Sequence, residues 1–304
     1  MSGGVLVSVI EVEHISKDYG NQRGVFDVSF SVNKGEVFGF LGPNGAGKTT
    51  TIRQILGFIR PEQGEIRIHG QRVWGASEIT NARLGYLPGE IAFPEKIKGR
   101  EMIAWMADVY GIKNLNRAQE LLKLFELDIA NASVKRLSKG MKQKIGIVVA
   151  FMADPDILIL DEPTSGLDPL MQERFIGLVQ QEKQRGKTIL MSSHVFNEVE
   201  KTCDRAAIIK QGKIIDIVDL NAQRNTQLRH YRLSFNEKED YERFLARGFS
   251  LGQTDAPRRE CLVSVFDKDL NPFLKELTTY SLASFREERE SLEEYFLRFY
   301  AQDK

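Results

Sequence analysis

The sequence predicts an α/β protein followed by a second, smaller α+β domain. Three observations carry this. Up to about residue 220, short apolar runs alternate with stretches of helical periodicity, the pattern of a largely parallel sheet with helices on both faces. A polar, linker-like segment follows at 221–229. Beyond it the elements come in a different order, β-α-β-β-α-β. A chain of 304 residues is long enough for two domains with separate cores.

In the first domain, 9–15 and 25–32 alternate apolar and polar residues and read as strands, and 36–41 is a continuous apolar run typical of a buried strand. Residues 51–58 look helical, and 61–64 carry turn chemistry with Pro61 and Gly64. Helical periodicity returns at 99–110 and 116–127, where lysines and glutamates mark an insertion with a solvated face. An apolar helix at 145–152 precedes a buried strand at 157–160. Then come a helix at 169–185, a strand at 188–192 and a helix at 196–202. Strands at 206–210 and 214–218 bracket Gln211 and Gly212 as a hairpin. In the second domain we read strands at 231–235, 249–253, 261–266 and 282–285, with helices at 237–246 and 270–278. That order is ferredoxin-like, and a final helix covers 291–300.

Lys plus Arg is 42 and Asp plus Glu is 42. The balance argues against a duplex-coating protein, and no nucleic acid partner is expected. Cys203 and Cys261 show neither metal spacing nor a disulfide framework, which fits a reducing, cytoplasmic setting. No apolar run reaches the ~18 residues of a membrane span. The N-terminus lacks the basic region of a signal peptide. The chain is therefore expected to be neither secreted nor membrane-crossing, although a partner could hold it at a membrane.

The run Gly42, Pro43, Asn44, Gly45, Ala46, Gly47, Lys48, Thr49 fits G-x-x-x-x-G-K-[ST], with a buried strand before it and a helix after. Glycines let backbone N–H groups point inward at phosphate oxygens, and the helix N-terminus adds partial positive charge. Lys48 is expected to reach the β- and γ-phosphates of a nucleotide, Thr49 to offer its hydroxyl to Mg²⁺, and Thr50 to bond the α-phosphate. Downstream, the strand at 157–160 ends in Asp161 and Glu162. Strand ends of such sheets face the ligand crevice. Asp161 is placed to hold Mg²⁺ or its water, and Glu162 to take a proton from, or orient, an attacking water. Adjacent residues on a strand point to opposite sides, which suits two separate roles.

In kind and order, these residues resemble the ABC transporter ATPase family. Leu137 to Gln143 resembles its signature segment, Ser165 to Asp168 its D-loop, and His194 after Ser192 and Ser193 its switch histidine. Tyr19 precedes the phosphate loop at the distance of the adenine-stacking aromatic. The resemblance implies a P-loop NTPase core with an antiparallel β subdomain and a helical subdomain. The ATPase domain would cover 1–220, with its helical insertion at about 89–150, and the small α+β domain 221–304. It further implies a head-to-tail homodimer, or a heterodimer with a related ATPase, enclosing two ATP with Mg²⁺. Ser138 and Gly140 would contact the γ-phosphate across the interface. Glu162 would be the general base, His194 would sense the γ-phosphate, and Asp168 would tie the two sites together. Plainer readings stand beside these: Tyr19 as a surface aromatic, Ser138 as an ordinary helix N-cap, and His194 as a loop histidine.

The chain departs from the family pattern at two places. Lys139 and Met141 stand where glycine and glutamine are common, while Ser138 and Gly140 remain. After Tyr86, Leu87 and Pro88, Gly89 occupies the place of a glutamine that bonds Mg²⁺ and the attacking water, and Glu90 follows. Glu90, or water, is expected to fill that role. These departures, together with the aromatic C-terminus, look like bacterial exporter ATPases of the antibiotic-resistance type with separate transmembrane permeases. The implied location is the cytoplasmic face of the membrane, and the implied cargo a drug, peptide or lipid. Leu292, Tyr295, Phe296 and Phe299 lie at helical spacing and are expected to pack on the small domain rather than dock a partner. The rivals are an importer ATPase with a C-terminal regulatory domain and an ABC protein acting on ribosomes or DNA.

Overall fold

The computed structural model describes residues 7–74, 84–94, 97–128, 133–224, 228–288, 292–293 and 296–297. Two compact units divide the chain, Met1–Leu220 and Asn221–Lys304.

The first unit begins with β1 (Ser8–Asp18), β2 (Gly24–Asn33), β3 (Val37–Leu41) and α1 (Lys48–Ile55). Three short strands follow: β4 (Gln63–Ile68), β5 (Gln71–Arg72) and β6 (Leu84–Leu87). The insertion supplies α2 (Gly99–Val109) and α3 (Asn116–Leu124), and leads into α4 (Lys139–Met152). The unit continues with β7 (Ile157–Asp161), α5 (Pro169–Gln184), β8 (Thr188–Ser193), α6 (Phe196–Thr202), β9 (Arg205–Lys210) and β10 (Lys213–Asp219).

A six-stranded sheet runs in the order β10-β9-β3-β8-β7-β6. Its pairs are parallel except β9 with β10. β3, β7 and β8 are buried at every position, as strands covered on both faces must be. A second, antiparallel sheet runs β2-β1-β4-β5. Phe30 from β2 stacks on Phe38 and Phe40 of β3, with centroids 5.2 and 5.3 Å apart. One apolar cluster thereby joins both sheets to Ile52 and Ile55 of α1.

Three strands go beyond the sequence reading. All three are short, and pairing defines them: β4 with β1, β5 with β4 and β6 with β7. α1 also begins earlier than the predicted 51, because the phosphate-loop residues Lys48 to Thr50 are already helical. The predicted linker at 221–229 is corrected in part. Leu220–Arg224 is a short helix, α7, and 225–227 lie outside the described residues.

The second unit contains β11 (Leu228–Phe235), α8 (Lys238–Leu245), β12 (Ser250–Asp255), β13 (Glu260–Phe266), α9 (Leu270–Leu277) and β14 (Leu282–Glu288). The sheet is antiparallel throughout, in the order β12-β13-β11-β14. Two split β-α-β units produce this order, the ferredoxin-like topology expected from the sequence. Tyr231, Leu233 and Phe235 of β11 pack with Phe244 of α8 and Phe273 of α9 in a separate core. The predicted helix at 291–300 lies outside the described residues except at 292–293 and 296–297, where Leu292 and Phe296 are buried.

The Phe30, Phe38 and Phe40 stack is the seam between the two sheets. Phe38→Ala is expected to destabilise the first unit by about 3–5 kcal/mol, the usual cost of deleting a buried phenyl ring, measured by urea unfolding.

Candidate functional site

The C-terminal ends of β3, β7 and β8 meet in one crevice, where open α/β sheets bind ligands. The loop after β3 turns through Gly47, whose φ of 108° opens α1. A side chain there would be strained, and its Cβ would stand 2.8 Å from Val25 Cγ1. Pro43, Asn44 and Gly45 are exposed, Ala46 is buried and Thr50 is half-buried. Lys48 is buried, with Nζ donating to the carbonyl oxygens of Gly42 at 2.6 Å and Pro43 at 3.2 Å. It also lies 2.9 Å from Glu162 Oε1. The single cation of the loop is thus held between two backbone carbonyls and a carboxylate.

Asp161 ends β7 and is fully buried. Its Oδ2 accepts from Thr49 Oγ1 at 2.8 Å and its Oδ1 from Ser192 Oγ at 2.5 Å. Glu162 lies beyond the strand, with φ at 49°. A non-glycine residue in that left-handed region carries backbone strain. Its amide N–H donates to the Ser192 carbonyl and hydroxyl, at 3.2 and 3.0 Å. The turn corrects the expectation that the two acids face opposite sides. Both reach the phosphate loop, Asp161 at Thr49 and Glu162 at Lys48. Glu162 Oε2 also lies 2.5 Å from Nδ1 of half-exposed His194.

One further acid lies behind this cluster, and the sequence reading passed over it. Glu198 of α6 is buried, and its Oε2 accepts from Ser193 Oγ at 2.6 Å and Thr164 Oγ1 at 3.2 Å. Burial pushes its carboxyl up to about 7, and the charge of Glu162 adds to the rise. The available signal was its place beside Val199 and four residues before Thr202, the buried stripe of a short helix.

The signature-like segment opens α4. Ser138 is its N-cap, accepting from Met141 N at 3.2 Å. Lys139 Nζ donates to Ser165 Oγ at 2.9 Å. A Cβ on Gly140 would come 2.5 Å from the Gly166 carbonyl oxygen, so the helix start lies tight against that loop. Buried Gln143 donates to the carbonyls of Glu162 at 3.2 Å and Pro163 at 2.8 Å. Asp168 caps α5 by accepting from Met171 N at 3.0 Å, with Pro169 as the first helical residue. The structure does not bring every candidate together. Tyr19 is exposed and has Lys17 over its ring. Ser138, Gly140 and Asp168 make no hydrogen bond to Lys48, Asp161 or Glu162. Glu90 is exposed and forms no hydrogen bond or ion pair with another described residue. A Cβ on Gly89 would stand 3.1 Å from Asp161 Oδ2, so the backbone itself packs there.

The comparisons with known proteins fit this geometry. The model of the ABC transporter family matches residues 25–165. The bacitracin transport ATP-binding protein of Bacillus licheniformis is 35% identical over 235 residues, 76% of this chain and 77% of the relative. This chain belongs to the ABC transporter ATP-binding family. The Nod factor export ATP-binding protein I of Paraburkholderia xenovorans is 39% identical over 216 residues, 68% of this chain and 70% of that one. A solved ATP-binding subunit of an ABC transporter superposes with a TM-score of 0.65 at 34% identity, over 71% of this chain and 92% of that one. As a member of the family, the chain is an ATPase that uses ATP with Mg²⁺. Homologous ABC ATPases work as dimers paired with separate membrane permeases. Among the described residues, no helix is long and apolar enough to cross a membrane.

The donor set suits Mg²⁺. Thr49 Oγ1 and Asp161 Oδ2 are hard oxygens brought together in the crevice, the ligand type that Mg²⁺ takes. Mg²⁺ typically takes one or two protein oxygens and leaves its other positions to phosphate and water.

Glu198 makes stability depend on pH. Its carboxyl titrates at about 7 when folded and at its ordinary 4.5 when unfolded. Between those values the folded chain holds a proton that the unfolded chain has lost, so stability falls as pH rises through the window. The full difference is about 3 kcal/mol. Glu198→Gln removes it. Its stability relative to the parent should therefore climb between pH 5 and pH 8, as read by urea unfolding at each pH.

Proposed function

We propose that this chain is the ATP-driven motor of an exporter, working as a dimer on a separate permease that moves a drug, peptide or lipid out of the cell. The observation that carries the reading is the convergence of Lys48, Thr49, Asp161, Glu162 and His194 in one crevice. The name of the Nod factor export relative supports the direction. In this reading, each ATP lies between residues 42–50 of one copy and Ser138 and Gly140 of the other, with Tyr19 against the adenine.

In this reading each residue has a role. The N–H groups of the phosphate loop and the N-terminus of α1 receive the phosphates. Lys48 exchanges Glu162 for the β- and γ-phosphate oxygens, which frees the Glu162 carboxylate. Thr49 and Asp161 hold Mg²⁺, which neutralises charge on the phosphates when bound. Glu162 accepts the proton of the attacking water as its oxygen bonds to the γ-phosphorus. The bond from that phosphorus to the bridging oxygen breaks, and ADP leaves with the electron pair. His194 holds Glu162 and faces the γ-phosphate. Asp168 shapes the loop that meets the partner copy. Exposed Trp105 and Val109 of α2, with Tyr110 just beyond its end, offer an apolar face for the permease.

Two measurements test this. Glu162→Gln should bind Mg·ATP, lose about 10²-fold or more in turnover, and accumulate as a dimer by sizing with light scattering. A variant that binds ATP and hydrolyses it at the parent rate contradicts the assignment of the base. Glu90, which has no partner among the described residues and follows Gly89 beside Asp161, is assigned to the water shell of the metal. Glu90→Ala should then raise the Mg²⁺ concentration needed for half-maximal turnover, and an unchanged requirement removes Glu90 from the site.

A further inference from the structure

Glu162 and His194 stand on different segments, one after β7 and one after β8. Their contact of 2.5 Å depends on those segments keeping register. Ahead of the contact, the Glu162 N–H bonds to Ser192. Behind it, Glu198 is the link. Thr164 stands two residues after Glu162, and Ser193 one residue before His194. Both hydroxyls donate to the same carboxyl oxygen of Glu198. Ser193 Oγ in turn accepts from Val195 N at 2.9 Å, so its proton is committed to Glu198. All three side chains are buried, with exposures of 6% for Thr164, 1% for Ser193 and 3% for Glu198. The other oxygen, Oε1, is buried and accepts no hydrogen bond from any described residue.

A buried acid with one bare oxygen is costly, so packing alone does not account for it. A leucine would fill the space, but it would leave two buried hydroxyls without acceptors. What the position requires is one oxygen able to accept from two donors on two different loops.

We propose that Glu198 is a positioning residue for ATP hydrolysis: its carboxyl ties the Thr164 segment to the Ser193 segment and so holds Glu162 and His194 in register. This rests on the reading of Glu162 as the base. Burial and the Glu162 charge raise the carboxyl toward its uncharged form. What the tie requires is the shape and the accepting oxygen, and glutamine keeps both. The tie lies away from the phosphate loop, so its loss acts on turnover and leaves ATP capture alone.

The test is steady-state hydrolysis of Mg·ATP by the full chain, with fluorescent-nucleotide binding measured on each variant. Glu198→Ala should keep the KM for ATP and lose between about tenfold and about a hundredfold in kcat, the scale set by small misplacements of reacting groups. Glu198→Gln should restore most of the lost kcat. Thr164→Val is near-isosteric and removes only one donor, so it tests the tie even if Glu198→Ala fails to fold. It should lower kcat in the same way at unchanged KM. Parent-like kcat in Thr164→Val overturns the proposal, as does a Gln variant no better than Ala. Glu162→Gln is the control. If it is inactive while Thr164→Val and Glu198→Ala are parent-like, only the tie fails. If it hydrolyses ATP at the parent rate, the base assignment fails and the tie with it.

Discussion

A carboxylate with no exposed surface lies where β7, β8 and the phosphate loop meet. An ionised acid taken out of water costs several kcal/mol unless its oxygens are bonded. Asp161 meets that demand with two hydroxyls, Thr49 on one oxygen and Ser192 on the other. Three segments distant in sequence must therefore arrive together for the acid to be tolerated. The rest of the crevice hangs from that junction. Ser192 also takes the N–H of Glu162, which fixes the left-handed turn that sends Glu162 across to Lys48. The seam of phenylalanines beneath holds β3 in place, and the loop after it delivers Thr49.

The same economy of charge recurs behind the crevice. Glu198, like Asp161, accepts from neutral hydroxyls, here two on a single oxygen. Among the described residues, neither acid pairs with a lysine or arginine. The loop cation Lys48 pairs instead with Glu162, a contact that an anionic ligand can displace. Gln143 adds a neutral bond of a third kind, from the start of α4 to the backbone that carries Glu162. With Lys139 on Ser165 and Gly140 against Gly166, the signature-like segment is joined to the loop that follows Glu162. In the proposed head-to-tail dimer those two parts would serve different ATP molecules.

Much of this could be read in the amino-acid order because its signals are local. Gly47, Lys48 and Thr49 form a spaced motif, and β3, β7 and β8 are apolar at each buried position. The second unit was legible for a similar reason: tyrosine and phenylalanine mark the inner face of β11, and helices alternate with strands. What escaped depends on distant partners. β4 and β6 are strands because β1 and β7 lie beside them. The backbone reversal at Glu162 has no signature in a residue type that usually avoids positive φ. Glu198 sits among Asn197, Glu200 and Lys201 and reads as part of a solvated face. Its place on one stripe with Val199 and Thr202 is a faint local signal to the contrary, and the arrival of Thr164 from another loop makes it plain.

The central claim is that one chain carries half of each ATP site. Mixing two defective proteins tests it most directly. Lys48→Ala spoils the phosphate loop but keeps the segment at 138–140, and Ser138→Phe does the reverse. Each parent alone should be inactive. In a mixed dimer, the intact loop of one copy faces the intact signature segment of the other, so the account predicts that equal mixing restores ATP hydrolysis. A mixture as inactive as its parents, from proteins shown to associate, would mean that each site is built within a single chain, and would contradict it.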